Sequence, residues 1–244
     1  MRHRPSTLRI IVLAIGLLGA AGAKAAEFNT LQLLTQTEFR SLSEDLGAAL
    51  SFKPLIPAEP MGITGFDIGI AVTGTKLQNL AALQKATASG TVPTTLTVPT
   101  LRAHKGLPLD FDIGVSFGSV PSSNMRVMGG ELRWAMLAGS TVSPAIALRA
   151  SFSSLSGVDE LKFNTTGLDI SISKGFVMLT PYAGLGTVRV KSDAQGSATQ
   201  TTESFSQSKV FAGLNLNLGL VNLAFEGDKT GEATSYGMKF GLRF

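Results

Sequence analysis

Tyr236-Gly237-Met238-Lys239-Phe240-Gly241-Leu242-Arg243-Phe244 ends the chain. In an extended strand successive side chains point to opposite faces. Tyr236, Met238, Phe240, Leu242 and Phe244 therefore share one face, while Ser235, Gly237, Lys239, Gly241 and Arg243 share the other. A slip of one residue would exchange the two faces completely, so the pattern specifies a register as well as a strand.

The same division recurs upstream. Phe66, Ile68, Ile70 and Val72 oppose Asp67, Gly69, Ala71 and Thr73; Phe111, Ile113, Val115 and Phe117 oppose Asp110, Asp112, Gly114 and Ser116. Leu132, Trp134 and Met136 oppose Glu131, Arg133 and Ala135, and Ile146, Leu148, Ala150 and Phe152 oppose Ala147, Arg149 and Ser151. Leu168, Ile170 and Ile172 oppose Asp169, Ser171 and Ser173, and Val210 to Leu218 continues the alternation around Lys209. Clusters of Gly, Asn, Asp, Ser and Pro separate these segments, as turns require. The chain reads as all-β.

Alternation does not say which face is inside, because a soluble barrel buries its apolar face and a membrane barrel turns it to lipid. Composition favours the second. The polar face is built from Gly, Ala, Ser, Thr and Asn with isolated charges, and only 16% of residues are charged, against about 25% in soluble domains. An antiparallel transmembrane β-barrel of about ten strands is expected, with a short N-terminal segment that could be helical.

At the amino terminus, Arg2, Arg4 and Arg9 precede an apolar run from Ile10 to Ala23 and the small-residue pattern Ala23-Lys24-Ala25. This predicts a secretory signal over residues 1–25, followed by one barrel domain over 26–244. Removing that signal takes away four of the 21 basic residues and none of the 17 acidic ones. The remaining charges balance, leaving no basic field to steer nucleic acid. With no cysteine, stability must come from an extended sheet or a bilayer rather than from disulfides.

Ten strands are expected near 44–53, 64–74, 108–118, 124–137, 144–153, 161–173, 175–191, 206–218, 220–228 and 233–244. Two stretches fit poorly. Residues 75–107 would form a long connection on the periplasmic side; Leu77, Leu80 and Leu83 suit a short helix there, and Thr95 to Leu101 suits an extra strand that would change the count or the sidedness. Residues 28–43, with Leu31, Leu34 and Leu42, suit a small helix that serves as a lid, an inward plug or an ordered lead-in.

The terminal strand Tyr236-x-Met238-x-Phe240-x-Leu242-x-Phe244 resembles the carboxy-terminal signature of Gram-negative outer-membrane β-barrel proteins. The resemblance implies export to the cell outer membrane, closure of the sheet by this strand, contact with outer-membrane lipid and recognition by the barrel-assembly machinery. It implies no particular activity, since the class spans pores, enzymes, adhesins and structural proteins.

The candidate functional groups are the charges expected to face the lumen: Asp45, Asp67, Asp110, Asp112, Glu131, Asp169 and Glu226, with Arg133, Arg149, Arg189, Lys209, Lys239 and Arg243. An unpaired buried ion is costly, so near-balanced charges in a narrow barrel are expected to pair in a structural network. A selective pore would more naturally carry an excess of one sign. His104 is the one histidine beyond the signal; its segment, Leu101 to Gly106, is expected at a barrel rim, and no Gly-x-Ser-x-Gly elbow marks a nucleophile. No catalytic, metal or cofactor site is expected. Tyr182, Trp134, Tyr236 and Phe244 are placed at the lipid interfaces. The function expected is a non-enzymatic, porin-like barrel that admits or binds a small solute or amphiphile through a narrow lumen; the alternative is a closed structural or interaction barrel acting through its loops near 192–205 and 75–107, and an outer-membrane enzyme using His104 ranks third.

Overall fold

The computed structural model of the chain describes residues 30–87, 92–121, 123–196 and 200–244. The expected signal over 1–25 lies outside the described residues. Ten antiparallel strands close into a barrel: β1 (Phe66–Lys76), β2 (Thr95–Gly106), β3 (Phe111–Ser119), β4 (Arg126–Leu137), β5 (Ala145–Ser156), β6 (Leu161–Ser173), β7 (Leu179–Ala194), β8 (Glu203–Leu218), β9 (Val221–Thr230) and β10 (Ala233–Arg243). Each strand pairs with its sequence neighbours, and β10 returns to β1 with Ile70 opposite Phe240. Closure removes both sheet edges, which a bilayer demands because its core offers no water to unpaired N–H and C=O groups. Among the described residues no helix is long and apolar enough to cross a membrane; the strands do the crossing.

The expected count stands, but its membership changes. Residues 44–53 are not a strand: α1 (Gln36–Leu50) runs through most of them. Thr35-Gln36-Thr37-Glu38 explains the helix start, since the Thr35 side chain accepts from the Glu38 amide and the Glu38 carboxylate accepts from the Thr35 amide, a reciprocal capping box. The strand lost there is replaced by β2, which includes the expected extra strand over 95–101. This insertion moves the connection over 77–94, with its short helix α2 (Leu80–Ala86), to the same barrel end as the β7–β8 connection over 195–202. That is the loop end. The other, terminal end carries Phe66 and Phe244, whose backbones exchange two hydrogen bonds at 2.6 and 2.9 Å. The β6–β7 turn covers 174–178, since β7 begins at Leu179 rather than at the expected 175.

The barrel is inside-out relative to a soluble domain. Ile70, Val115, Met128, Leu132, Leu168, Leu185, Val210 and Phe240 are exposed on its outer wall, while Asp67, Asp112 and Arg133 inside are fully excluded from solvent. An uninterrupted apolar band outside a polar interior is the arrangement of a transmembrane barrel. Stacked pairs Phe66 with Phe244 and Phe111 with Trp134, with ring centroids 5.9 and 5.8 Å apart, mark the terminal end of that band, where aromatic side chains favour the membrane interface.

Candidate functional site

Among the described residues the buried charges gather in the lumen, which is occupied by the chain itself. From the loop end α1 descends along the inner wall, and residues 51–61 continue as a strap that leaves beside β1 at the terminal end. Gly47 permits the close approach of α1 to the wall: a Cβ there would lie 2.5 Å from the Val190 side chain and 2.7 Å from that of Gln207.

The strap reads Phe52-Lys53-Pro54-Leu55-Ile56-Pro57-Ala58-Glu59-Pro60. Each proline at 54, 57 and 60 lacks an N–H and fixes its own φ, while Leu55 between them takes a positive φ of 51°, so the segment runs down the lumen as irregular chain outside any helix or strand. Its remaining polar groups must find partners elsewhere, and the wall supplies them. Lys209 donates to the Phe52 carbonyl at 2.9 Å; Arg102 donates to the carbonyls of Lys53 and Pro54 at 2.6 and 3.2 Å. The Leu55 amide donates to Glu226 at 2.8 Å, the Ala58 amide to Ser173 at 3.1 Å and the Met61 amide to Asp112 at 3.1 Å. Arg133 donates to the carbonyls of Pro57 and Glu59. The strap's own Lys53 pairs with Asp228 at 2.9 Å and also donates to Ser235.

The wall charges pair among themselves as well. Asp67 holds Lys239 and Arg243, each at 2.8 Å; Asp112 holds Arg133 at 2.6 Å. A longer chain runs from His104 to Glu131 at 3.1 Å, on to Arg149 at 3.0 Å and to Asp169 at 3.6 Å. In low dielectric these pairings offset the cost of burying the charges they join, whereas Arg102 and Lys209 are held by strap carbonyls and Glu226 by the Leu55 amide and the Tyr182 hydroxyl.

The structure therefore brings together Asp67, Asp112, Glu131, Arg133, Arg149, Asp169, Lys209, Glu226, Lys239 and Arg243 in the lumen. Three of the expected lumen residues are elsewhere or differently held. Asp110 is exposed in the turn before β3, with a φ of 59°. Arg189 points outward from β7, because near the loop end the strand's polarity inverts: Val188 and Val190 turn inward against α1. Asp45 is in the lumen but on α1, where its carboxylate accepts from the backbone amides of Gln78 and Asn79 at 3.0 and 2.7 Å and ties the helix to the 77–94 connection. Burial pushes the Asp45 carboxyl up from its ordinary value, against those hydrogen bonds.

Two further corrections concern His104 and Tyr182. His104 is not at the rim: it points inward from β2, 1% exposed, and Gly114 beside it carries no side chain, since a Cβ there would stand 2.3 Å from the imidazole. Tyr182 is not at the lipid interface; it is 4% exposed and donates to Glu226 at 3.0 Å inside the barrel. Sequence reasoning missed Lys53, Arg102 and Asp228. The proline periodicity of 54, 57 and 60 was the available signal for the strap, and recognition of β2 would have turned Arg102 and His104 inward.

Above the charged zone the lumen is apolar. Leu42, Leu46 and Leu50 of α1 pack with Leu83, Val98, Val127, Leu155, Phe163, Val190 and Phe205. The cavity left beside Leu42, Leu46, Leu77 and Leu96 is only about 30 Å³, about the share of one water in the liquid. Among the described residues no cluster of three metal-ligating side chains occurs.

Fold and site together define the class: an outer-membrane-type β-barrel whose lumen is filled by its own amino-terminal segment. No family model and no curated protein matches the chain. Solved structures with a similar fold include the N-terminal β-barrel domain of Pseudomonas aeruginosa OprF, at 15% identity and a TM-score of 0.37 over 75% of this chain and 99% of that one. The KdgM porin in complex with disordered oligogalacturonate matches at 10% identity and a TM-score of 0.41, over 73% and 99%. The Escherichia coli outer membrane protease OmpT matches at 8% identity and a TM-score of 0.38, over 74% and 95%. These likenesses are of general barrel architecture, and the functional conclusion rests on this chain's own residues.

Proposed function

We propose that the protein is a closed, non-enzymatic membrane barrel that acts as a structural or interaction protein through its loop-end face. The observation that carries this is the clasped strap: wall side chains from β2, β3, β4, β6, β8 and β9 bond its backbone from Phe52 to Met61. A solute passage along this lumen would require α1 and the strap to leave, exposing about ten paired charges and their partners at once. Burial of His104 supports the non-enzymatic reading, since a general base must reach its substrate within hydrogen-bond distance. What remains available to partners is the loop-end face around the start of α1, with residues 77–87, 92–94, 195–196 and 200–202 beside it.

Planar-bilayer recording of the refolded protein tests this directly, with a heat-modifiability gel to establish that the barrel has formed. A folded barrel without discrete conductance steps is the expected result. Reproducible steps that change in size when Arg133 or Glu131 is neutralised would overturn closure and restore the porin-like reading, in which a small solute or amphiphile passes the lumen.

A further inference from the structure

A barrel of ten strands by itself starts and ends on one side of its membrane, because an even number of crossings returns the chain to the side it left. This chain makes one crossing more. Thr30 stands at the loop end, where its hydroxyl donates to the Lys85 carbonyl at 2.7 Å and its amide to the Ala86 carbonyl at 3.3 Å. From there the contacts of the lumen segment descend the wall in chain order. The Gln36 side chain donates to the Thr201 carbonyl at 3.2 Å and accepts from the Thr201 amide at 2.9 Å. Ser43 donates to Ser192 near the upper end of β7 at 2.9 Å, and the Leu50 carbonyl accepts from Ser153 of β5 at 2.7 Å. The strap then meets Lys209 at Phe52, Glu226 at Leu55 and, at Met61, Asp112 near the terminal-end start of β3.

The pass is long enough and firmly held. α1, with 15 residues, covers roughly 22 Å at about 1.5 Å per residue, and the strap supplies the rest of a hydrocarbon core of roughly 30 Å. Gln200 donates to the Leu31 carbonyl at 2.9 Å at the top; the buried Lys53–Asp228 pair, at 2.9 Å, pins the strap below. Water surrounds the start of this pass. The outer faces of β7 and β8 there are Thr187, Arg189, Lys191, Ser204, Ser206 and Ser208, a row that hydrocarbon disfavours, and Gln32, Leu33, Thr35 and Thr37 are exposed above it. The longest connections, β1 to β2 and β7 to β8, are at this same end, the asymmetry that places an end outside the cell in barrels of this type.

We infer that the lumen segment is an eleventh membrane crossing that displays the amino-terminal end of the barrel outside the cell. Thr30 and the start of α1 stand on the side opposite to Phe244, and a sequence joined ahead of Thr30 is presented to the exterior with α1 and the strap as its tether. This display rests on the closed lumen proposed above, since a strap that left the barrel would release the tether.

The chain contains no cysteine, so single-cysteine variants of the full protein carry one thiol each and report sidedness in whole cells. The probe is a maleimide joined to a polyethylene glycol too large for outer-membrane pores. Gln32→Cys tests the amino-terminal end, and Thr37→Cys repeats the test if the first variant does not give a heat-modifiable barrel. Glu232→Cys in the β9–β10 turn and Val142→Cys in the β4–β5 turn, both exposed, mark the loop end and the terminal end independently of the lumen segment. In intact cells Gln32→Cys should label as Glu232→Cys does, while Val142→Cys should label only once the outer membrane is permeabilised. Labelling of Gln32→Cys that follows Val142→Cys instead overturns the eleventh crossing, and reversal of all three overturns outward display. Conductance reads the closed lumen separately: a silent barrel with Gln32→Cys shielded in intact cells loses the display and keeps closure, whereas a conducting barrel with Gln32→Cys labelled keeps the display and loses closure.

Discussion

The two halves of the lumen solve the same packing problem in opposite ways. At the loop end the inward side chains are Val98, Val127, Leu155, Phe163, Val188, Val190 and Phe205, closed around the leucines of α1. At the terminal end they are Asp67, Asp112, Arg133, Arg149 and Lys239, closed around a strap. The difference follows from what fills each half. A helix satisfies its own backbone and presents side chains, so an apolar wall suits it. An irregular proline-rich strap presents bare carbonyls and amides, so it needs donors and acceptors from the wall. Charge in the lower lumen is therefore a clasp for backbone as much as a set of ion pairs.

The sharpest way to break this distinction is at Arg133, which serves both roles. Arg133→Met removes the partner of Asp112 and the donors to Pro57 and Glu59. It should cost about 3–5 kcal/mol, the usual penalty for an orphaned buried charge, read as a lower urea midpoint in micelles. If pairing were all that mattered, Arg133→Met with Asp112→Leu would recover most of this, because a buried pair replaced by apolar residues is often neutral. The clasp predicts that the double variant stays destabilised, since two strap carbonyls and the Met61 amide remain without partners. Full recovery would reduce the strap to a passenger.

The apolar half should respond as a soluble core does. Leu46→Ala, at a position 2% exposed, should cost about 2–5 kcal/mol through lost burial and the cavity left behind. Salt should separate the halves: the Leu46→Ala loss should be unchanged between low and high ionic strength. A strongly salt-dependent loss at Leu46 would show that α1 is held by its polar contacts rather than by packing.

How far the sequence foretold these halves depends on where polarity and period agree. In β10 apolar residues face lipid and Lys239 and Arg243 face the lumen along its length, so its assignment from alternation is borne out. In β7 the pattern reverses midway: Ala183 and Leu185 face outward, but beyond them Thr187, Arg189 and Lys191 do, with Val188 and Val190 inside. Alternation reports which residues share a face, not which face is in, and Arg189 was misplaced for that reason. Tyr182 failed similarly, since its amphipathic ring suits an interface as well as a partner such as Glu226. Segment 44–53 misled because its small and apolar residues carry no decisive period, whereas the capping box at Thr35 and Glu38 and the three prolines after it mark a helix and then an irregular strap. The pairing of particular charges, such as His104 with Glu131, depends on strand register around the barrel and is not written in any local pattern.

The smallest expected effect lies where α1 enters the loop-end face, and it tests whether that entrance is fastened separately from the core beneath it. Glu38 takes part in the capping box and pairs with Lys85 of α2 at 2.7 Å. The hydrogen bond from Lys85, followed by that from the Thr35 amide, holds the Glu38 carboxyl down to about 2 from an ordinary 4.5. A depressed carboxyl pKa stabilises the folded form above the ordinary value, and this contribution is lost as pH falls from about 4.5 to about 2. Comparing wild type with Glu38→Gln isolates it from the other carboxylates. The gap between their unfolding midpoints should be open at neutral pH, narrow through that window and close near pH 2. A gap that persists unchanged at low pH would mean that the side chain's shape, not its charge, fastens α1 to α2, and that the loop-end half owes its closure to apolar packing alone.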